Sequence, residues 1–280
     1  MAREVLRAAL MGPCQRGGNF VAHLPMAYYQ RTSPVGFGPG ARLPWGVKWL
    51  LISNTAIFVV YFLSVQLQIT PLMWLFRSLS LIPAWVLSGA ILWQPITYLF
   101  LHSPNGFGHL LFNMLALWMF GSDLERDWGT RRFLNYYFFC GIGAGLCDVA
   151  ARYILGTPRD LLIPTIGASG AIYGLLMAFG LLYPNRQILV FLTFPIPARI
   201  FVAILGGIAF LSTFGASGSG ISHMAHLGGM AFGFFYLRFR PDVLDTDWLG
   251  SFKSWQRRRA KRKFQVYMRK HKPRDGDWVN

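Results

Sequence analysis

The sequence predicts an all-α membrane protein with six transmembrane helices and both termini in the cytoplasm. Hydrophobic residues make up 54% of the 280 residues and charged residues only 14%, whereas soluble domains contain about 45–50% apolar and about 25% charged residues. Positive charge is also distributed unevenly. Of the 27 Lys and Arg residues, 24 fall on one side of the predicted spans and three on the other, as the positive-inside rule expects for an even number of spans. Disordered and ordinary soluble proteins are therefore excluded.

Each predicted span is an apolar run judged against the roughly 20 residues that a helix needs to cross the hydrocarbon core. The runs are 47–66, 108–121, 133–155, 166–183, 200–214 and 221–239. The second is short, but the apolar stretch 93–102 leads into it. The apolar segment 71–93 carries Arg77 and two turn-like breaks, so we interpret it as a long, part-helical loop at the membrane interface. A seventh span is the alternative.

Three regions follow from this count. Residues 1–46 are rich in Gly and Pro and predict a flexible cytoplasmic tail, 47–240 form the six-helix domain, and 241–280 form a basic cytoplasmic tail. In the basic tail, Lys and Arg alternate with Trp, Phe, Tyr and Met, a pattern that favours anionic lipid headgroups. A solvated tail is an equal alternative. We expect no nucleic-acid partner, because no recognisable binding module accompanies the charge.

Polar groups inside a membrane are costly and therefore mark candidate sites. Three spans carry them: the second contains GHLLFN with His109 and Asn113, the fourth opens with GASGAIYG around Ser169, and the sixth contains AHLGGMAFG around His226. With the N-terminus inside, all three spans run from outside to inside and each has its polar groups near its start. These groups are expected at one depth, a short way below the outer surface.

Small residues spaced four apart predict that the fourth and sixth helices touch. Gly170 and Gly174 form such a stripe on one helix, and Gly229 and Gly233 form it on the other, a pattern that lets two backbones approach closely. Gly228 is rotated by about 100° from Gly229 on a helix, so we expect it to tolerate alanine better.

Such an approach would bring Ser169 within hydrogen-bond reach of His226, the arrangement that a serine nucleophile and its base require. Tyr173 is one turn from Ser169 and could pack on the imidazole. His109 and Asn113 could donate hydrogen bonds to a developing oxyanion, helped by amides at the start of the helix that carries Ser169. The hypothesis is a Ser–His dyad without an acidic third member.

Together, the GxSG, AHxxG and HxxxN motifs resemble those of the rhomboid intramembrane serine proteases, over roughly residues 45–240. The segment GSDLERDWG, with Glu125 and Gly129, is similar to the family's Glu-x-x-x-Gly motif. The resemblance implies that Ser169 and His226 are the catalytic pair and that His109 and Asn113 stabilise the oxyanion. It implies supporting roles for Tyr173, Gly167, Gly170, Gly229 and Gly233. His102 resembles a further histidine that is often found before the HxxxN motif. Two departures concern loops: Trp93-Gln94 stands where many members have Trp-Arg, and SPNGFG before His109 is a small insertion.

The resemblance also implies single-span transmembrane proteins as substrates and a multi-pass protein, expected in a bacterial inner membrane. The main alternative is a catalytically inactive rhomboid-like protein that binds membrane clients. Such relatives typically lack the Ser or the His, and this sequence has both. A metal site on His223 and His226 lacks a carboxylate to complete it, so we expect no metal and no cofactor. A Ser–Lys dyad is excluded, because no lysine lies between Lys48 and Lys253.

Overall fold

A computed structural model describes residues 42–89, 91–190, 193–213 and 223–239. Residues 1–41 and the C-terminal residues from 240 onward lie outside the described part of the chain. The predicted flexible tail 1–46 therefore lies almost wholly outside it, the basic tail 241–280 lies wholly outside it, and both stay predictions. The described residues are mainly helical.

Helical structure occurs at each of the six predicted spans. The α-helices are α1 (Trp45–Gln66), α2 (Thr70–Leu79), α3 (Pro83–Leu87), α4 (Gln94–Thr97), α5 (Phe107–Ala116), α6 (Ser122–Trp128), α7 (Thr130–Leu155), α8 (Ser169–Leu182), α9 (Ala198–Ser212) and α10 (His223–Phe239). A π-helical turn, Leu117–Gly121, joins α5 to α6 in one continuous helix. Short 3₁₀ turns cover Tyr98–Phe100 and Asp160–Leu162.

Two of the described helices are long and apolar enough to cross a membrane by themselves. They are α1, with 22 residues, and α7, with 26 residues. The apolar helices α8 and α9 are shorter, with 14 and 15 residues. The predicted first and third spans are therefore confirmed as long apolar helices, while the total of six spans and the cytoplasmic placement of both termini stay predictions.

The segment between α1 and α5 is a part-helical loop, as predicted. Its helices α2, α3 and α4 contain ten, five and four residues, and each has a proline in its first turn, where the missing N–H costs least. A helix needs about 20 residues to cross the hydrocarbon core, so the structure does not support the alternative of a seventh span here.

The start of α1 is held by a buried carboxylate from α6. Glu125 accepts hydrogen bonds from the backbone N–H groups of Gly46 (2.8 Å) and Val47 (2.7 Å) and from the hydroxyl of Thr130 (2.5 Å). The first N–H groups of a helix have no partner within the helix, and a negative charge there is favourable. Glu125 therefore joins the N-terminus of α1 to the junction of α6 and α7.

A small sheet interrupts the all-α pattern. Strand β1 (Gln187–Val190) pairs antiparallel with β2 (Phe194–Pro197) in the connection between α8 and α9. The strands are only four residues long, so sequence alternation is a weak signal for them. The predicted all-α class is accurate for the helical core and missed this hairpin.

The helices α8 and α10, which carry Ser169 and His226, meet around a buried tyrosine of α7. Tyr136 donates its hydroxyl to the Gly174 carbonyl of α8 at 2.7 Å. Its ring lies edge-on to that of Tyr236 of α10, with centroids 5.1 Å apart. The helices α7, α8 and α10 therefore share one core.

Candidate active site

Ser169 is the first residue of α8, and the turn before it depends on a glycine. Gly167 has a φ of +129°, a conformation that residues with a side chain rarely adopt. Its N–H donates to the Tyr98 carbonyl at 3.0 Å. A Cβ added there would lie 3.0 Å from Cε1 of His109 and 3.8 Å from the Ser169 oxygen. The backbone conformation therefore requires glycine two residues before Ser169, and an added side chain would also crowd His109.

His226 lies in the first turn of α10 and faces Ser169. The distance between His226 Nε2 and Ser169 Oγ is 2.8 Å, within the range of a good hydrogen bond. The imidazole is buried. If Nε2 accepts the hydroxyl proton, Nδ1 carries the ring proton in the neutral form. The geometry is that of a hydroxyl ready to pass its proton to a base.

The imidazole is held in place by an aromatic ring from α8. Tyr173 lies one turn after Ser169, and its ring stacks on His226 with centroids 4.3 Å apart and an interplanar angle of 6°. The ring of His223 lies edge-on to the same imidazole, with the two ring centroids 6.0 Å apart. Because one face and one edge of the ring are occupied, rotation of His226 away from Ser169 is restricted.

His109 and Asn113 lie on successive turns of α5. The His109 ring packs against Gly167, next to Ser169. Asn113 is buried, and its Nδ2 has no hydrogen-bond partner among the described residues. A buried amide donor without a partner is costly, so this group can still donate to an acceptor that comes within hydrogen-bond distance.

Backbone contact between α8 and α10 sets the distance between Ser169 and His226. A Cβ added to Gly229 would lie 1.9 Å from the Gly170 carbonyl oxygen, and one added to Gly233 would lie 3.2 Å from Gly174 Cα and 2.5 Å from the Tyr136 hydroxyl. No real Cβ approaches a backbone oxygen that closely. The two glycine stripes therefore face each other.

The sequence predicts that Gly228 tolerates alanine better than Gly229, and this comparison stays a prediction, but Gly228 also has close neighbours. A Cβ at Gly228 would lie 2.6 Å from Cys147 Cβ and 3.3 Å from Ala144 Cα, both on α7. The helix α10 is in close contact with α8 on the side of Gly229 and with α7 on the side of Gly228. The rotation of about 100° between these residues therefore leads from one neighbouring helix to another. Nothing local in the sequence distinguishes a rotation toward lipid from a rotation toward a third helix.

Two further contacts near the site have no local signal in the sequence. The carbonyl of Tyr98, 69 positions before Gly167, fixes the turn that presents Ser169. His102 is fully buried with its ring 5.2 Å from that of His109, and neither of its ring nitrogens has a hydrogen-bond partner among the described residues. Within that part of the chain, no group of three or more His, Cys, Asp and Glu residues is arranged to hold a metal ion.

Comparison with known protein families gives one match over the region that contains this site. The family model described as the Rhomboid domain matches residues 89–240. That match covers more than half of the chain, and it includes every residue of the candidate site.

Individual relatives match over a similar region. The chain is 36% identical over 140 residues to "Rhomboid protein 1, mitochondrial" of Saccharomyces cerevisiae, which covers 48% of this chain and 38% of that protein. It is 38% identical over 146 residues to "Rhomboid protease GluP" of Bacillus subtilis, a match that covers 51% of this chain and 25% of that protein. It is 35% identical over 144 residues to "Putative rhomboid protease YdcA" of the same organism, covering 51% and 64%. The chain thus matches less than two thirds of the length of each.

Proposed function

The chain belongs to the rhomboid family, a family of integral membrane proteins, and we propose that it is an intramembrane serine endopeptidase that uses Ser169 as nucleophile and His226 as base. One observation carries the proposal: Ser169 Oγ and His226 Nε2 are 2.8 Å apart, on two helices that meet through their backbones. An alcohol at its ordinary pKa is a weak nucleophile, and a base in hydrogen-bond contact is what activates it.

In the first half of the reaction, Ser169 Oγ attacks the carbonyl carbon of a substrate peptide bond. Its proton passes to His226 Nε2, and a tetrahedral oxyanion forms. When this intermediate collapses, the C–N bond breaks and His226 returns the proton to the leaving amine. The products are the amine-terminated fragment and an ester on Ser169.

In the second half, water replaces the amine. His226 takes a proton from the water as its oxygen attacks the ester carbonyl, and a second tetrahedral oxyanion forms. Collapse returns the proton to Ser169 Oγ and releases the carboxylate fragment. Stacking on Tyr173 at 4.3 Å holds the imidazole in the orientation that both halves need.

Both intermediates place negative charge on an oxygen that was a carbonyl in the substrate. Asn113 Nδ2 is a buried donor with no partner in the described part of the chain, and the His109 ring packs on Gly167, two residues before Ser169. The first N–H groups of α8 also have no acceptor within their own helix. These donors are fixed before the reaction, so they stabilise the oxyanion without reorganisation of solvent.

The substrate class follows from the predicted depth of the site. With six spans and both termini in the cytoplasm, Ser169 lies just below the outer surface of the membrane. A peptide bond must leave its helical hydrogen bonding before a serine can attack it. The proposed substrates are therefore single-span membrane proteins whose transmembrane segment unwinds near the outer surface.

The experiment is a cleavage assay with a model transmembrane substrate and the full chain in liposomes. We expect the wild-type protein to cut the substrate and to be labelled at Ser169 by a fluorophosphonate probe. Ser169→Ala should abolish both signals. Ser53→Ala is the matched control, because among the described residues the Ser53 hydroxyl bonds to the Leu50 carbonyl of its own helix and to no group of the site. A wild-type protein that inserts and folds but neither cuts nor reacts would favour the catalytically inactive alternative.

A further inference from the structure

Outside the site, three polar side chains form a closed ring at the C-terminal end of α7. Arg152 Nε donates to Asp148 Oδ1 at 3.0 Å, and Arg152 Nη2 donates to Thr165 Oγ1 at 2.8 Å. The Thr165 hydroxyl in turn donates to Asp148 Oδ2 at 2.6 Å. The i,i+4 spacing predicts the pair of Asp148 and Arg152, whereas Thr165, in the connection to α8, joins only through the tertiary structure.

The guanidinium of Arg152 also holds the connection itself. Its Nη1 donates to the backbone carbonyls of Asp160 (3.2 Å) and Ile163 (3.3 Å). Four acceptors thus surround one side chain, an arrangement that suits the planar fork of arginine. The segment from Asp160 to Thr165 is tied to α7 by this residue.

Thr165 is fixed by its backbone as well. Its N–H donates to the Leu81 carbonyl at 2.8 Å, and its carbonyl accepts from the Leu81 N–H at 3.0 Å. Two residues later, the N–H of Gly167 bonds to the Tyr98 carbonyl. Ser169 follows only four residues after Thr165, a reach of at most about 14 Å when fully extended. The position of Thr165 therefore restricts where α8 begins.

Stability alone is a weak reason for such a ring. Asp148 and Thr165 are buried, and the Arg152 side chain is only 16% exposed. The desolvation of a buried ion pair often exceeds its Coulombic gain, and the best attested role of such a pair is to select one arrangement over others. Charged groups at membrane depth are costly for the same reason.

From this geometry we propose that Asp148, Arg152 and Thr165 are positioning residues that fix the start of α8, so that Ser169 is held at reacting distance from His226. The inference rests on the proposed protease function. None of the three touches the dyad in the structure, so their effect is transmitted through Thr165 and the turn at Gly167.

The test compares Thr165→Val with Thr165→Ser in the full chain in liposomes. Valine matches the shape of threonine but removes the hydroxyl, whereas serine keeps it. We expect Thr165→Val to lower kcat and the rate of fluorophosphonate labelling by about 10- to 100-fold, because misplacement of a catalytic group by about 1 Å can cost about 100-fold. KM should stay within about 2-fold, and Thr165→Ser should restore most of both rates.

Thr157→Val is the matched control in the same connection. The Thr157 hydroxyl and N–H donate to Asp160 Oδ2 at 2.8 and 2.7 Å, and these bonds hold the pKa of that carboxyl below its usual value. The Thr157 hydroxyl is not part of the ring. Its loss should leave kcat and the labelling rate unchanged.

Several outcomes would overturn the inference. Thr165→Val could fold and react like wild type, or Thr165→Ser could lose as much as Thr165→Val. A fall in melting temperature with an unchanged labelling rate would indicate a structural role only.

If Thr165→Val does not fold, Arg152→Lys replaces it in the test. Lysine keeps the positive charge beside Asp148 but cannot bond to all four acceptors. An unchanged kcat in Arg152→Lys would also refute the inference. A wild-type protein that is not labelled at all refutes the proposed function instead.

Discussion

The helices α9 and α10 both pack against α8, but they do so through different atoms. Between α8 and α10 the contact is backbone to backbone, since a Cβ at Gly229 would lie 1.9 Å from the Gly170 oxygen. Between α8 and α9 it is backbone to side chain, since a Cβ at Gly180 would meet the Val202 side chain at 3.0 Å. The outer face of α9 is exposed at Ile204 and Ile208.

This difference shows which interface sets the geometry of the site. A side chain can change rotamer to accommodate an added methyl group, whereas a backbone carbonyl moves only with its whole helix. His226 lies on α10, which contacts the helix of Ser169 through its backbone and so cannot accommodate an added methyl group by a rotamer change. Substitutions of similar size should therefore have very different effects on the two faces of α8, and the following predictions test that contrast.

The largest effect is expected from the dyad itself. Ser169→Ala and His226→Ala should each lower cleavage by at least about 10⁴-fold, because in a serine protease either member of the pair is needed for the other to act. The double variant should lose no more than either single variant. Initial rates of cleavage measure this, and additive losses would contradict a shared proton-transfer step.

Asn113→Ala tests the proposed stabilisation of the oxyanion by α5, a helix that forms neither the α8–α9 nor the α8–α10 interface. In other serine proteases, loss of one oxyanion donor lowers kcat by about 10²–10³-fold. We expect a decrease in kcat of about 10- to 1000-fold for this variant, because His109 and backbone amides can partly replace the lost donor. KM should barely change, because the donor acts mainly on the transition state. If KM rises while kcat holds, Asn113 positions the substrate instead.

Gly229→Ala tests the backbone contact between α8 and α10. The added methyl group has no space beside Gly170, so the helices must separate. We expect destabilisation by about 1–3 kcal/mol and a loss of about 100-fold in kcat through misplacement of His226. Thermal melting and cleavage are measured on the same sample. A variant that melts and cleaves like wild type would show that α8 and α10 do not meet through this stripe.

Gly228→Ala tests the other close face of α10. Its methyl group would meet Cys147 on α7, so the free energy of unfolding should fall by about 1–3 kcal/mol, as in Gly229→Ala, and the melting temperature should fall with it. The loss in kcat should be smaller, about 10-fold, because the displaced neighbour does not carry Ser169. Equal losses in kcat for the two variants would mean that α10 moves as one rigid body from either side.

The smallest effect is expected between α8 and α9. In Gly180→Ala, Val202 must yield by a few tenths of an ångström, and the better helix propensity of alanine, about 1 kcal/mol, offsets that cost. Stability and turnover should stay close to wild type. Gly207→Ala is the control, because a Cβ there would meet nothing within 4 Å. A large loss in Gly180→Ala alone would remove the contrast between the two faces.

Much of the helical framework could be predicted from the chain alone. The helices α1 and α7 coincide closely with apolar runs, because a continuous run of the right length is a local property. The breaks in the segment that contains α2, α3 and α4 follow from prolines. The ion pair of Asp148 and Arg152 follows from helical spacing. The π-helical turn at Leu117–Gly121 and the hairpin of β1 and β2 leave no comparable pattern.

The candidate site was predictable to the extent that its groups lie in short motifs. Glycines four apart predicted that α8 and α10 touch, and the structure has Gly229 against Gly170 and Ser169 beside His226. The same spacing argument did not predict that Gly228 lies close to Cys147 of α7, because it gives the angle between two residues and not what lies at each angle.

The sequence by itself determined which segments are helical and which residues share a helix face, because both depend on neighbours within a few positions. The tertiary structure alone decided the contacts that join distant segments. Among these are the Glu125 carboxylate at the start of α1, the Tyr98 carbonyl on Gly167, and Thr165 between Leu81 and Arg152. A backbone carbonyl or N–H is the same in every residue, so its choice of partner is set by the packing of helices and leaves no mark in the local sequence.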